Sequence, residues 1–145
     1  MKTRWMALMG AAIALTGCQN PPRVEDAWVR LPAVPGRPAA GYATVSGGSS
    51  TTALIGVTTS AAARSELHES MTGHGGMAAM RPLKELSFAQ DKQVLLRPGG
   101  AHVMLFDVKP GLRPGATIPL TFRFDGWEDV TVDAKLVGAG DPAPK

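Results

Sequence analysis

Three histidines and four methionines fall within one stretch of this 145-residue chain, between His68 and Met104. His68, His74 and His102 are all its histidines, and Met71, Met77, Met80 and Met104 are all its methionines beyond the N-terminal leader. Methionines that merely fill gaps in a core have no reason to cluster, so a shared soft ligand suits the pattern better. His102-Val103-Met104 lies in a strand-like run, which sets an imidazole and a thioether on one face, a single pleat apart. Val103 and Leu105 then turn toward a core, and His102 is expected on the solvent side. His68 and Met80 stand twelve residues apart at the ends of a glycine-bearing loop, Thr72-Gly73-His74-Gly75-Gly76. A hairpin of that length can bring the two side chains together.

Donor softness selects the ion. Neutral thioethers are poor partners for Zn²⁺, Mg²⁺ or Ca²⁺, which take thiolate, imidazole or oxygen. Methionine selects Cu(I), and imidazole accepts it. A blue-copper centre needs a cysteine thiolate, and the one cysteine, Cys18, precedes the β-domain. The expected metal ligands are therefore His68, Met80, His102 and Met104. Met71, His74 and Met77 enrich the intervening loop and form a candidate accessory site, through His74 one for Cu(II); incidental residues of a surface loop are the alternative. Glu66, Glu69 and Asp107 lie near these ligands in sequence and are read as solvated charges. No nucleophile–base pair or open metal triad with a general base stands out, so an enzyme is not expected.

Short β-like segments must position these residues. VEDAWVR, YATVS, TALIGVTT, RSELHES, KELSFA, KQVLLR, HVMLFDV, TIPLTFRF and VTVDAKLV are candidate strands, punctuated by Gly, Pro, Asp and Asn. In the run from Thr117 to Phe124, Ile118, Leu120, Phe122 and Phe124 share one face, and Pro119 on the other argues for an edge strand or a strand start. Gln90-Asp91-Lys92 reads as a tight connection between strands. The pattern predicts an all-β fold, an antiparallel β-sandwich or Greek-key barrel. Trp28, Tyr42, Phe106 and Trp127 are expected as core anchors, and Arg30, Arg81 and Arg97 as solvated charges.

The N-terminus reads as an export signal. Lys2 and Arg4 precede an apolar run, Trp5 to Leu15, too short to span a membrane, and Leu15-Thr16-Gly17-Cys18 closes it. That ending resembles a bacterial lipoprotein signal. It implies a signal peptide over 1–17 and a tether over 18–23 lipidated at Cys18. The strand pattern sets the β-domain over 24–137, and the closing Gly-Ala-Gly-Asp-Pro-Ala-Pro-Lys over 138–145 reads as a disordered tail. Removing the leader lowers Lys+Arg from 15 to 13 against 12 acidic residues, a net charge of +1. Nothing in that balance suggests a nucleic-acid partner. With one cysteine, no intrachain disulfide is available, so burial and any bound metal must stabilise the domain.

The spacing resembles that of the PCuAC family of bacterial periplasmic copper chaperones, whose motif is His, an optional Met, ten residues, Met, twenty-one residues and His-any-Met. Here His68 is followed by Glu69, residues 70–79, Met80, residues 81–101 and His102-Val103-Met104. Only the optional Met departs, being Glu69. Flanking Ser65-Glu66-Leu67, Arg81-Pro82 and Leu96-Arg97-Pro98-Gly99-Gly100 match as well, and the likeness covers about residues 24–137. The resemblance implies a cupredoxin-like sandwich that binds Cu(I) through His68, Met80, His102 and Met104. It further implies a monomeric carrier in the periplasm, delivering copper toward the binuclear centre of cytochrome c oxidase subunit II or to a thiol-containing assembly factor. A copper storage or tolerance lipoprotein without a dedicated acceptor would use the same ligands.

Overall fold

The strands grow from alternating sequence patterns, and the fold from how they pair. The computed structural model describes residues 19–72 and 78–145; Cys18, His74 and Met77 lie outside them. In chain order the strands are β1 (Arg23–Arg30), β2 (Ala39–Ser46), β3 (Thr52–Thr58), β4 (Ala62–Thr72) and β5 (Ala78–Leu83). They continue with β6 (Leu86–Phe88), β7 (Gln93–Leu96), β8 (Ala101–Val108), β9 (Thr117–Phe124) and β10 (Val130–Val137). No helix occurs among the described residues. In β9 the alternation holds throughout: Ile118, Leu120, Phe122 and Phe124 are buried while Thr117, Pro119 and Arg123 face outward.

The strands pair in the order β5-β4-β8-β2-β1-β10-β9-β3-β6, and β7 joins β2 beside that path. Ala39–Gly41 of β2 pair with β8, whereas Ala43–Ser46 pair with β7. The sheet thus forks at β2 and wraps around one core. Val29, Val45, Leu54, Leu67, Leu105 and Phe122, from six different strands, meet in a single cluster. Full burial of such a side chain contributes roughly 1.5–3 kcal/mol. The expected β-sandwich is present, with one departure from antiparallel pairing: β1 and β10 run parallel, Trp28 opposite Lys135 and Arg30 opposite Val137. Parallel neighbours need a long crossover, and here nearly the whole chain supplies it.

Three local expectations change. Pro119 is not on an edge strand, since β9 lies between β10 and β3. The pairing of β3 with β9 stops at Thr121, however, so the missing N–H of Pro119 costs no ladder bond on that side. β5 lacks the β-branched signature of a strand and is held by pairing with β4, Leu67 opposite Leu83 through Thr72 opposite Ala78. Trp28 is not a core anchor. A register shift between Glu25 and Trp28, with Asp26 at φ 52°, turns Val29 inward and Trp28 outward. Trp28 then packs with Tyr42 and Val137 in a separate cluster on the outer face of the sheet. Trp127 does pack against the main core, and Gln90-Asp91 forms a turn in which the Lys92 N–H donates to the Ala89 carbonyl at 3.2 Å.

β2 and β4 both run antiparallel to β8. The end of β2, the start of β1, the end of β4 and the start of β5 therefore lie at one end of the sheet. The chain enters at that end, across Gly48, where a Cβ would stand 2.0 Å from the Asn20 carbonyl oxygen. That carbonyl accepts a hydrogen bond from the Ser49 N–H at 2.9 Å.

Candidate metal centre

β4 is the middle strand of the site, flanked by β5 and β8. Across it, His68 stands opposite His102, Glu66 opposite Met104, Ser70 opposite Met80 and His68 opposite Pro82. Residues opposite one another in a ladder project to the same side, and alternate residues along a strand share a face. His68, His102, Met104 and Met80 consequently share one face, while the paired Leu67 and Val103 fill the core behind them. Met80 and Met104 are diagonal neighbours of His68, one on each flanking strand, a separation of about 7–8 Å that long side chains can cross.

The imidazoles are the closest part of this set. Their ring centroids lie 6.2 Å apart. Two imidazoles sharing an ion at metal–nitrogen bonds of about 2.0–2.1 Å can have centroids at most roughly 6.4 Å apart, so one ion can reach both. His102 is only 4% exposed, contrary to the expectation that it faces solvent. Tyr42 lies over it at 6.4 Å between centroids, and Trp28 lies against Tyr42 at 4.3 Å. That cover closes the outer face of the sheet. His68 is 14% exposed in its side chain and has Phe106 at 6.4 Å, so Phe106 too serves the site rather than the core. Met80 is 59% exposed, at the open edge of the sheet.

Each imidazole has one nitrogen held from two residues earlier. His102 Nδ1 lies 2.9 Å from the Gly100 carbonyl oxygen, which can only accept, so the proton sits on Nδ1 and the Nε2 lone pair is left for an ion. The same carbonyl accepts the Ser70 N–H at 3.1 Å, tying β4 to the turn before β8. That turn is Arg97-Pro98-Gly99-Gly100, with the Gly100 N–H donating to the Arg97 carbonyl at 3.1 Å and Gly99 at φ 78°. These are the features of a type II turn, which requires positive φ at its third residue. On the other side, His68 Nε2 lies 2.9 Å from Glu66 Oε2, and His68 Nδ1 is buried with no hydrogen-bond partner among the described residues. An unpartnered buried imidazole nitrogen is what an empty ligand position presents.

The donor chemistry fits a soft ion. Among the described residues, no group of three or more His, Cys, Asp or Glu side chains is placed to hold a metal. The further soft donors on the same face as the two imidazoles are the thioethers of Met104 and Met80. Met71 does not join them: it stands opposite Ala79, on the other face of β4, and is 47% exposed. His74 and Met77, the rest of the candidate accessory site, lie outside the described residues.

Several residues read as bland surface or core in the sequence belong to the site's surroundings. Glu66 is no freely solvated charge, because it bonds Arg64 and His68 at once. Its place two residues before His68, hence on the same strand face, was the available signal. Arg30 lies over Trp28 at 4.9 Å and Tyr42 at 5.9 Å, and its Nη2 donates to the Asp141 carbonyl at 3.2 Å. Burial pushes the Tyr42 hydroxyl above its ordinary pKa, and the charge and hydrogen bond of Arg30 pull it back. Arg81 pairs with Glu69 at 2.7 Å across the β4–β5 hairpin.

Comparison with known proteins identifies the fold and the family. Residues 23–136 match the family described as "Putative lipoprotein LpqE-like". The chain is 32% identical over 126 residues to "Putative lipoprotein Lxx21020" of Leifsonia xyli subsp. xyli, covering 82% of this chain and 75% of that protein. Among solved structures, the copper-bound PCuAC domain from PmoF2 superposes with a TM-score of 0.67 at 23% identity, over 81% of this chain and 92% of that one. Apo-DR1885 from Deinococcus radiodurans gives 0.59 at 25% identity, over 94% and 93%. The Cu(I) form of DR1885 gives 0.58 at 26%, over 82% and 76%. The sandwich is thus that of the PCuAC domains, and the chain belongs to the LpqE-like family.

Proposed function

We propose that this protein is an exported copper chaperone that carries Cu(I) on His68, His102, Met80 and Met104. The observation that carries the reading is the shared face: two imidazoles 6.2 Å apart with a thioether diagonal to His68 on each side. The copper-bound PCuAC domain from PmoF2 and the Cu(I) form of DR1885, similar in fold, support the choice of ion. Copper is cargo here, and its transfer is ligand exchange without a change in oxidation state. Met80, at the exposed edge, is the ligand an acceptor's thiolate or imidazole displaces first. His102, buried beneath Tyr42, is the last to let go.

The test is a Cu(I) competition titration with X-ray absorption on the reconstituted domain. One equivalent bound, with two sulfur and two nitrogen neighbours, is the expected result. A first shell without sulfur, or no binding, overturns the assignment. Delivery toward cytochrome c oxidase is proposed with it: deletion should lower oxidase activity and added copper should restore it. Copper sensitivity with normal oxidase would favour storage instead. The lipoprotein names in the matching family and relative support anchoring through Cys18. Cys18→Ser should move the protein from the membrane fraction to the soluble one.

A further inference from the structure

We infer that Glu66 is a positioning residue of the metal centre, fixing the proton of His68 on Nε2 so that Nδ1 is that ring's ion-binding nitrogen. The inference deepens the Cu(I) reading above and rests on it. Glu66 has both carboxylate oxygens engaged, Oε1 by Arg64 and Oε2 by His68 Nε2 at 2.9 Å. Arg64 is itself held, its guanidinium 4.0 Å over the Phe106 ring, which also lies against His68. Phe106, Arg64, Glu66 and His68 thus form a closed ring of contacts that sets one carboxylate oxygen against His68 Nε2.

The proton position follows from what each atom can do. An ionised carboxylate only accepts, so the 2.9 Å contact is a bond when Nε2 carries hydrogen and a repulsion when it carries a lone pair. With the proton on Nε2, the lone pair is on Nδ1, the atom that is buried and has no partner among the described residues. The opposite tautomer would bury a donor with nothing to accept it and set two acceptors against each other. His102 solves the same problem with the opposite nitrogen. Its Nδ1 proton goes to the Gly100 carbonyl, and Nε2 is left free. The two rings therefore present different nitrogens, one anchored by a side chain and one by the backbone.

The experiment is two-bond ¹⁵N–¹H correlation of histidine-labelled protein, metal-free and after one equivalent of Cu(I), beside Cu(I) competition titrations of Glu66→Ala and Glu66→Gln. In the metal-free protein His68 should carry its proton on Nε2, and Cu(I) should shift Nδ1 of His68 and Nε2 of His102. Glu66→Ala should mix the His68 tautomers and weaken Cu(I) binding about tenfold, the lower end for loss of an outer-shell partner. Glu66→Gln keeps an accepting oxygen and should restore both within about threefold. A metal-free His68 protonated on Nδ1, a Cu(I) shift at its Nε2, or unchanged or tighter binding by Glu66→Ala each overturns the inference. The tautomer is read without metal, so a wrong proton position sinks this assignment and leaves the copper reading standing. Wild-type protein that takes up no Cu(I) sinks both.

Discussion

The two halves of the candidate metal centre are built differently. His102 and Met104 sit on β8, inside the sheet, with His102 beneath Tyr42 and its ring held by a backbone carbonyl from a type II turn. His68 and Met80 sit on the hairpin of β4 and β5, with His68 held by a side chain and Met80 on the free edge. The β8 half is fixed by the fold, and the hairpin half by surface groups that can move. A carrier needs both, one side to retain its cargo and one to yield it.

That contrast can be broken from either side. The largest effect should come from His102→Ala, which should weaken Cu(I) binding by more than the roughly 100-fold upper range for an outer-shell loss, while His74→Ala changes little. Equal losses in competition titrations would dissolve the distinction. Met80→Ala should cost about tenfold in affinity, some 1.4 kcal/mol, and speed transfer to a thiol acceptor in stopped-flow. Met104→Ala should cost more affinity than Met80→Ala; the reverse order would put the retaining half on the hairpin. Gly99→Ala, at φ 78°, should lower stability by about 1 kcal/mol in a denaturant titration and loosen His102 with it. The smallest effect belongs to Arg81→Ala. Its ion pair with Glu69 is exposed, so thermal unfolding should change by at most about 0.5 kcal/mol.

How much of this was legible in the chain depended on whether neighbours in sequence or in space did the work. β9 could be read directly, because Ile118, Leu120, Phe122 and Phe124 alternate without interruption. The four candidate ligands could be picked out from residue type and spacing, since few other donors compete in the chain, and the ladder sets them on one face. β5 could not: Ala78-Ala79-Met80-Arg81-Pro82-Leu83 has almost no strand propensity, and β4 imposes its conformation. Nor could the outward turn of Trp28, which a one-residue bulge decides, or the cover over His102, which joins residues from β1, β2 and β8. Glu66 was ambiguous for another reason. A carboxylate two residues from a histidine on a strand is equally well a solvated charge until Arg64 and Phe106 are seen to hold it.

The shared end of β1, β2 and the β4–β5 hairpin has a bearing on orientation. A lipid on Cys18 would lie only a few residues before the point where the chain crosses Gly48, and so would moor the domain by that same end. The end of the β4–β5 hairpin near Met80 would then lie on the bilayer side of the domain. A receptor embedded in that leaflet could strip the ion without the donor having to roll over.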